Sequence, residues 1–210
     1  MTKTTAVVEV LVIATSLCFF SAFMSARSSH LYAMVALCIA AITIGRGIPR
    51  LGAAGEAFGF TRNALHLPIA SVVGVVIGLL AGLSFRNMQS ASLVPPTLTA
   101  FAIIAAAIGA SEELVYRGFV WSRLEAFGAL GAVGGSVVAH TAYKCALFAG
   151  LLISHQINPV TFIFWTICGS LICAILRLAS RHVLPSIIAH LVFDVIVYGD
   201  CLHAPWWVWG

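Results

Sequence analysis

Gly109-Ala-Ser-Glu-Glu-Leu-Val-Tyr-Arg-Gly-Phe119 closes an almost purely apolar run that extends from Thr97 to Ala110. It sets Glu112, Glu113 and Arg117 at the end of a helix-length segment apolar enough for a membrane. Charged groups inside a bilayer are costly, and they mark a pathway or a site. The rest of the chain is therefore read for groups that could partner these three.

The surrounding composition decides the solvent. Of 210 residues, 61% are hydrophobic and only 9% are charged, against about a quarter charged in an ordinary soluble domain. So few charges cannot cover a surface in water, so the chain reads as an integral membrane protein. At about 20 residues per crossing it holds six to eight helices and no separate soluble domain. The expected fold is all-α: a polytopic transmembrane bundle of about seven helices. The net charge of +4 does not indicate nucleic acid, because the basic residues stand singly at helix ends. The expected partners are the lipid bilayer and a peptide or protein substrate at the membrane, with no nucleic acid. Six scattered cysteines without a C-x-x-C pair read as small hydrophobic residues.

Seven apolar runs divide the sequence. Ala6 to Met24 is read as a retained crossing rather than a cleaved leader, although Ser25-Ala26 offers small residues for cleavage. Glu9 is expected to reach the interface. Leu31 to Ile44 follows, and then a connection from Arg46 to His66 in which Phe58 and Phe60 suggest a short interfacial helix. Leu67 to Phe85 carries Gly74, Gly78 and Gly82, a spacing that lets another helix approach closely. Beyond the loop Arg86 to Pro96, a long helix is expected from Thr97 to about Leu124. The later crossings are Gly128 to Ile153, Val160 to Leu178 and Val183 to Tyr198, with Ser154 to Pro159 as a turn. The sixth has no ionisable residue before Arg177. Pro205-Trp206-Trp207-Val208-Trp209 reads as an aromatic interface anchor. Seven crossings put Lys3, Arg46, Arg50, Arg62, Arg123, Arg177 and Arg181 on one side, and Arg27 and Arg86 on the other. That bias predicts a cytoplasmic N-terminus.

The ionisable residues inside the runs are Glu112, Glu113, Arg117, His140, Lys144, His190 and Asp194, from helices four, five and seven. At 1.5 Å per residue, Glu113 and His140 each lie about 15 Å from the same surface. His190 lies at about 12 Å and Asp194 at about 18 Å. One polar cavity between the three helices is therefore allowed. Glu113 and Arg117 are i,i+4 and can pair, whereas Glu112 is rotated by about 100° and is expected to face the cavity. His190 and Asp194 share a face, as do His140 and Lys144, whose cation would favour a neutral imidazole.

Such a set suits activation of water. Glu112 would be the general base, and His140 would orient the water or share a metal with the carboxylate. A developing oxyanion needs a hydrogen-bond donor, which a protonated His190 supplies; Asp194 orients His190, is itself protonated, or ligates a metal. The candidate catalytic set is Glu112, Glu113, His140, His190 and Asp194, with Arg117 in support. No cofactor is required, but Glu112, His140 and His190 permit zinc or another divalent metal.

Glu112-Glu113-x-x-x-Arg117 followed by Gly118-Phe119 resembles the first motif of the CPBP family, the CAAX-prenyl-protease and bacteriocin-processing group also called Abi proteins. Their second motif is Phe-x-x-x-His, matched here by Ser136-x-x-x-His140 with the aromatic missing. Their third is His-x-x-x-Asn or Asp, similar to His190-x-x-x-Asp194. The likeness covers about Thr97 to Tyr198. It implies a bacterial or archaeal intramembrane endopeptidase with its cavity open to the cytoplasm. By the same resemblance Glu112 and His140 activate water while His190 and Asp194 stabilise the oxyanion, by a glutamic or a metal-dependent mechanism. With the apolar runs, one membrane domain in three parts is expected: N-terminal helices and loop at 1–96, a core at 97–200 that by the resemblance is protease-like, and an aromatic tail at 201–210. Two rivals stand beside the protease: a catalytically silent membrane scaffold, and an ion-coupled transporter, against which the chain shows no inverted repeat.

Overall fold

In a bilayer each backbone N–H and C=O must be satisfied within the protein, so apolar runs become helices. The computed structural model describes residues 2–24, 30–51, 54–60, 66–149 and 158–203, and among them there is no strand. Seven long helical elements form: α1 (Lys3–Met24), α2 (His30–Gly47), α3 (Leu67–Met88), α4 (Ala100–Glu113, with its continuation), α5 (Gly128–Ala149), α6 (Pro159–Ser180) and α7 (Leu184–Tyr198). The all-α bundle expected from composition is thus the observed architecture. The first and second helices, α3 and α6 are each long and apolar enough to cross a membrane. Large apolar side chains face outward, Leu130 at 88% exposure and Val160 at 73%, which only a lipid solvent tolerates at this density. The chain is an integral membrane protein.

Local signals set the ends of the helices that carry the polar residues. Thr99, three residues beyond Pro96, caps α4 by accepting from the Ala102 N–H, so that helix begins later than Thr97. Asn158 caps α6 by accepting from the Val160 N–H at 2.9 Å. The fourth helix also departs from the expected uniform run to Leu124. After Glu113 it becomes π-helical over Leu114–Val120, returns to α-helix at Trp121–Leu124, and ends in a 3₁₀ turn at Glu125–Phe127. π-Helical segments are rare, and those that occur are frequently at functional sites.

Packing divides the bundle in two. The seventh helix lies between α3 and α4, while α5 lies between α1 and α6, and α2 rests on α1. The two groups join where α6 meets α7 and where the π-helical segment reaches α5. The glycine stripe on α3 works as its spacing suggests. A Cβ at Gly74 would strike the Pro185 carbonyl, one at Gly78 the Ala189 carbonyl, and one at Gly82 the Ile196 side chain. The third and seventh helices therefore touch backbone to backbone.

Several charges sit deeper than expected. Glu9 does not reach the interface: it is buried, and its Oε2 lies 2.8 Å from Nε of the fully buried Arg123. Arg123 also donates to the Gly47 carbonyl at 2.8 Å and stacks over the Phe119 ring. Arg86 is not a loop residue but a buried one, holding both oxygens of Asp200 at 2.8 Å. Arg177 is buried too and donates to the Arg117 carbonyl at 3.1 Å. In each case a partner on another element offsets the cost of burial, and that partner is invisible in a count of basic residues per loop. The expected interfacial helix is a single turn, Ala54–Ala57. Phe58 beyond it packs on Phe119, and Phe60 meets His182 edge-on. Val183 N–H donates to the Gly59 carbonyl at 3.1 Å, which ties this segment to the start of α7. Ser25, Ala26, Arg27, Arg62, the turn at 154–157 and the Pro205–Trp209 anchor lie outside the described residues.

Candidate active site

Six expected residues, Glu112, Glu113, Arg117, His140, His190 and Asp194, converge with Lys144 at the seam between the two helix groups. The convergence follows from helix register. Glu112 and Glu113 end the α-helical part of α4. His140 and Lys144 lie one turn apart on α5, and His190 and Asp194 one turn apart on α7.

The two adjacent glutamates point to different partners. Glu113 is fully buried, and its Oε1 accepts from Arg117 Nη1 at 3.2 Å and from His190 Nδ1 at 3.0 Å. Glu112 Oε1 accepts from Lys144 Nζ at 2.7 Å, and its Oε2 is 3.2 Å from His140 Nε2 and 4.0 Å from His190 Nε2. The 100° rotation between neighbouring helix positions has separated them as expected.

Arg117 organises the interior. It is fully buried and donates from Nη2 to the Ser170 carbonyl at 2.7 Å and to Ser170 Oγ at 2.6 Å. Its Nη1 also lies 2.8 Å from His140 Nδ1. A guanidinium has donors and no acceptor, so His140 Nδ1 must accept. The proton of a neutral His140 is then on Nε2 and is given to Glu112. On His190 the logic is reversed: Nδ1–H donates to the Glu113 carboxylate. Its Nε2 faces the space between Glu112 and Asp194, whose Oδ2 is 3.8 Å away. Asp194 is itself buried.

Three further residues belong to this centre. Lys144, expected as a neighbour of His140, pairs directly with Glu112. Ser170 sits on the helix that seemed bare of polar function, and only the fold brings it under Arg117. Tyr116 stacks on His140 with ring centroids 4.7 Å apart, so an aromatic from α4 packs the imidazole where Ser136 stands in place of the usual phenylalanine. Ser136 is buried, with its hydroxyl donating to the Val133 carbonyl. The signal for Tyr116 was present: it is one turn from Glu112. Gly109 permits the whole approach, since a Cβ there would collide with Asp194 Oδ2 and His190 Cδ2.

Glu112, His140 and His190 are the residues that would hold a divalent ion. Among the described residues no group of three or more His, Cys, Asp or Glu forms a metal-holding set. Arg117 occupies Nδ1 of His140, Nε2 of the same ring is turned to Glu112, and Lys144 occupies Glu112 Oε1. Three donor positions on His140 and Glu112 are thus engaged by other side chains, whereas His190 Nε2 is not within hydrogen-bond distance of Glu112 or Asp194.

Fold and centre together define a polytopic helical membrane protein with carboxylates and imidazoles gathered inside the bundle. Residues 95–196 match the family model described as Rce1-like, type II CAAX prenyl endopeptidase. Over that core the chain belongs to the CPBP, or CAAX protease, family, which is a family of membrane proteases. No curated protein and no solved structure matches the chain.

Proposed function

We propose that the chain is an intramembrane endopeptidase that hydrolyses a peptide bond in a membrane-associated or lipid-modified peptide or protein. The observation that carries this reading is the pairing of Glu112 with His140 at 3.2 Å, with His190 Nε2 4.0 Å from the same carboxylate oxygen. A carboxylate that faces one imidazole and is approached by a second can hold a water and flank a bound carbonyl.

In this reading Glu112 is the general base. It takes a proton from water as the water oxygen attacks the scissile carbonyl carbon. It then returns that proton to the departing amine nitrogen as the C–N bond breaks. His140 Nε2–H fixes the carboxylate and orients the water. His190 anchors itself on Glu113 through Nδ1. With a second proton on Nε2 it donates to the oxyanion, and Asp194 supplies the counter-charge. Glu113 and Arg117 hold His190 and His140 in place. The mechanism proposed is of the glutamic, metal-independent type, in keeping with the donor geometry described above. The N-terminus is proposed to be cytoplasmic and the bilayer to be a cell membrane of a bacterium or archaeon.

The test is substrate trapping with full-length Glu112→Gln in membranes, followed by cleavage of the captured protein by the unaltered enzyme in proteoliposomes. Glu112→Gln and His140→Ala should each abolish cleavage while the protein still inserts and accumulates. A chelator of divalent metals should leave the rate unchanged. Normal cleavage by both variants would remove Glu112 and His140 from the mechanism, and no cleavage by the unaltered protein would favour the silent scaffold. Loss of activity on chelation would remove the metal-independent mechanism.

A further inference from the structure

The α-helical half of α4 packs on α7, and α5 packs on α1 and α6, so Glu112 and Lys144 face each other from opposite sides of the seam. Their contact, Nζ to Oε1 at 2.7 Å, is shorter than that of Glu112 with either imidazole. The carboxylate lies inside at 7% side-chain exposure, and the lysine sits nearer the rim at 16%. The ammonium is itself held, because it stands 5.5 Å over the Tyr143 ring, a favourable cation–π position. None of the three motifs that mark this core includes the position of Lys144.

A carboxylate has two equivalent oxygens and a free terminal torsion, so an unheld glutamate offers either oxygen in many directions. Catalysis by a base depends on one orientation. We propose that Lys144 is a positioning residue of this centre: its ammonium pins Oε1 of Glu112 and bridges α4 to α5, so that Oε2 alone is presented to His140, His190 and the attacking water. The proposal rests on Glu112 as the base. It adds a fourth requirement to the three motifs, namely a cation one turn beyond the histidine of α5.

The kinetic test uses the full-length protein in proteoliposomes with a fluorogenic farnesylated peptide as probe. Lys144→Met keeps length and removes the charge. It should lower kcat by about ten- to hundred-fold, the range expected when a reacting group is misplaced by about 1 Å, with KM nearly unchanged. Lys144→Arg should restore most of the rate. An unchanged kcat in Lys144→Met would overturn the proposal, as would a loss that tracks reduced thermal stability and is not rescued by arginine. Cleavage of the probe by Glu112→Gln would instead defeat the reading of Glu112 as the base, and no cleavage by the unaltered protein would defeat the protease reading. The contact has its own readout that needs no substrate. Solid-state NMR dipolar recoupling between ¹⁵N-Lys144 and ¹³C-Glu112 in the unaltered protein should show a close pair, and absence of coupling would overturn the proposal whatever the probe does.

Discussion

Removing Arg117 should be among the most damaging single changes in this protein, and the reason can be worked through atom by atom. Its guanidinium is fully buried and makes four contacts: Glu113 Oε1 at 3.2 Å, His140 Nδ1 at 2.8 Å, and Ser170 O and Oγ at 2.7 and 2.6 Å. Arg117→Ala leaves Glu113, at 0% exposure, with His190 as its remaining ionisable contact on Oε1. Breaking a buried pair by deleting one partner costs about 3–5 kcal/mol, because the other charge stays buried. Removing both charges with apolar groups of similar volume is close to neutral. Arg117→Met with Glu113→Leu should therefore recover most of the stability lost in Arg117→Met alone, a coupling well above the roughly 0.5 kcal/mol scatter of independent sites. The assay is unfolding of purified protein in detergent micelles for the two single variants and the double. Additive losses would refute the argument, and so would an Arg117→Met protein as stable as the unaltered one. Neither the double variant nor Arg117→Met should cleave substrate, since His140 loses its donor in both.

Other outcomes follow from close approach and from titration. Gly109→Ala should abolish cleavage, because its Cβ would displace Asp194 and His190. Gly78→Ala should instead lower the melting temperature through overpacking of α3 on α7, at about 1–3 kcal/mol, read by thermal unfolding in micelles. Asp200 lies in the turn after α7, and hydrogen bonding from Arg86 holds its carboxyl below its ordinary value. A depressed folded value contributes stability above the unfolded value, near 3.9, and that contribution is lost as pH falls through the lower folded value. Asp200→Asn should thus lower the melting temperature modestly at neutral pH, since the pair is partly exposed and screened. The difference from the unaltered protein should close under strongly acid conditions. A difference that persists or grows on acidification would contradict this sign.

The sequence determined the solvent, the helix content and the level of the polar residues by itself. An excess of apolar residues leaves only one environment, and backbone satisfaction in that environment leaves only helices for a chain of this pattern. A fixed rise per residue then put Glu113, His140, His190 and Asp194 at expected depths of about 12 to 18 Å from one surface, without any knowledge of which helices touch. The i,i+4 pair Glu113–Arg117 and the opposite turn of Glu112 were likewise readable, because they are properties of a single helix.

Tertiary structure decided everything that depends on two helices at once. The partners of Glu9 and Arg123, or of Arg86 and Asp200, are 114 residues apart in both cases, and no local pattern links them. Ser170 carries no signal in the sequence, and only the laying of α6 beneath Arg117 gives it a role. The π-helical stretch at Leu114–Val120 interrupts what composition read as one continuous helix. For the opening stretch, the sequence supplied two glutamates and an arginine. Packing between helices decided that Lys144 and His140 hold Glu112 from across the seam, and that His190 joins Arg117 on Glu113. Side-chain register is written along one helix, but a contact between helices is fixed by the crossing of two, which a linear pattern does not encode.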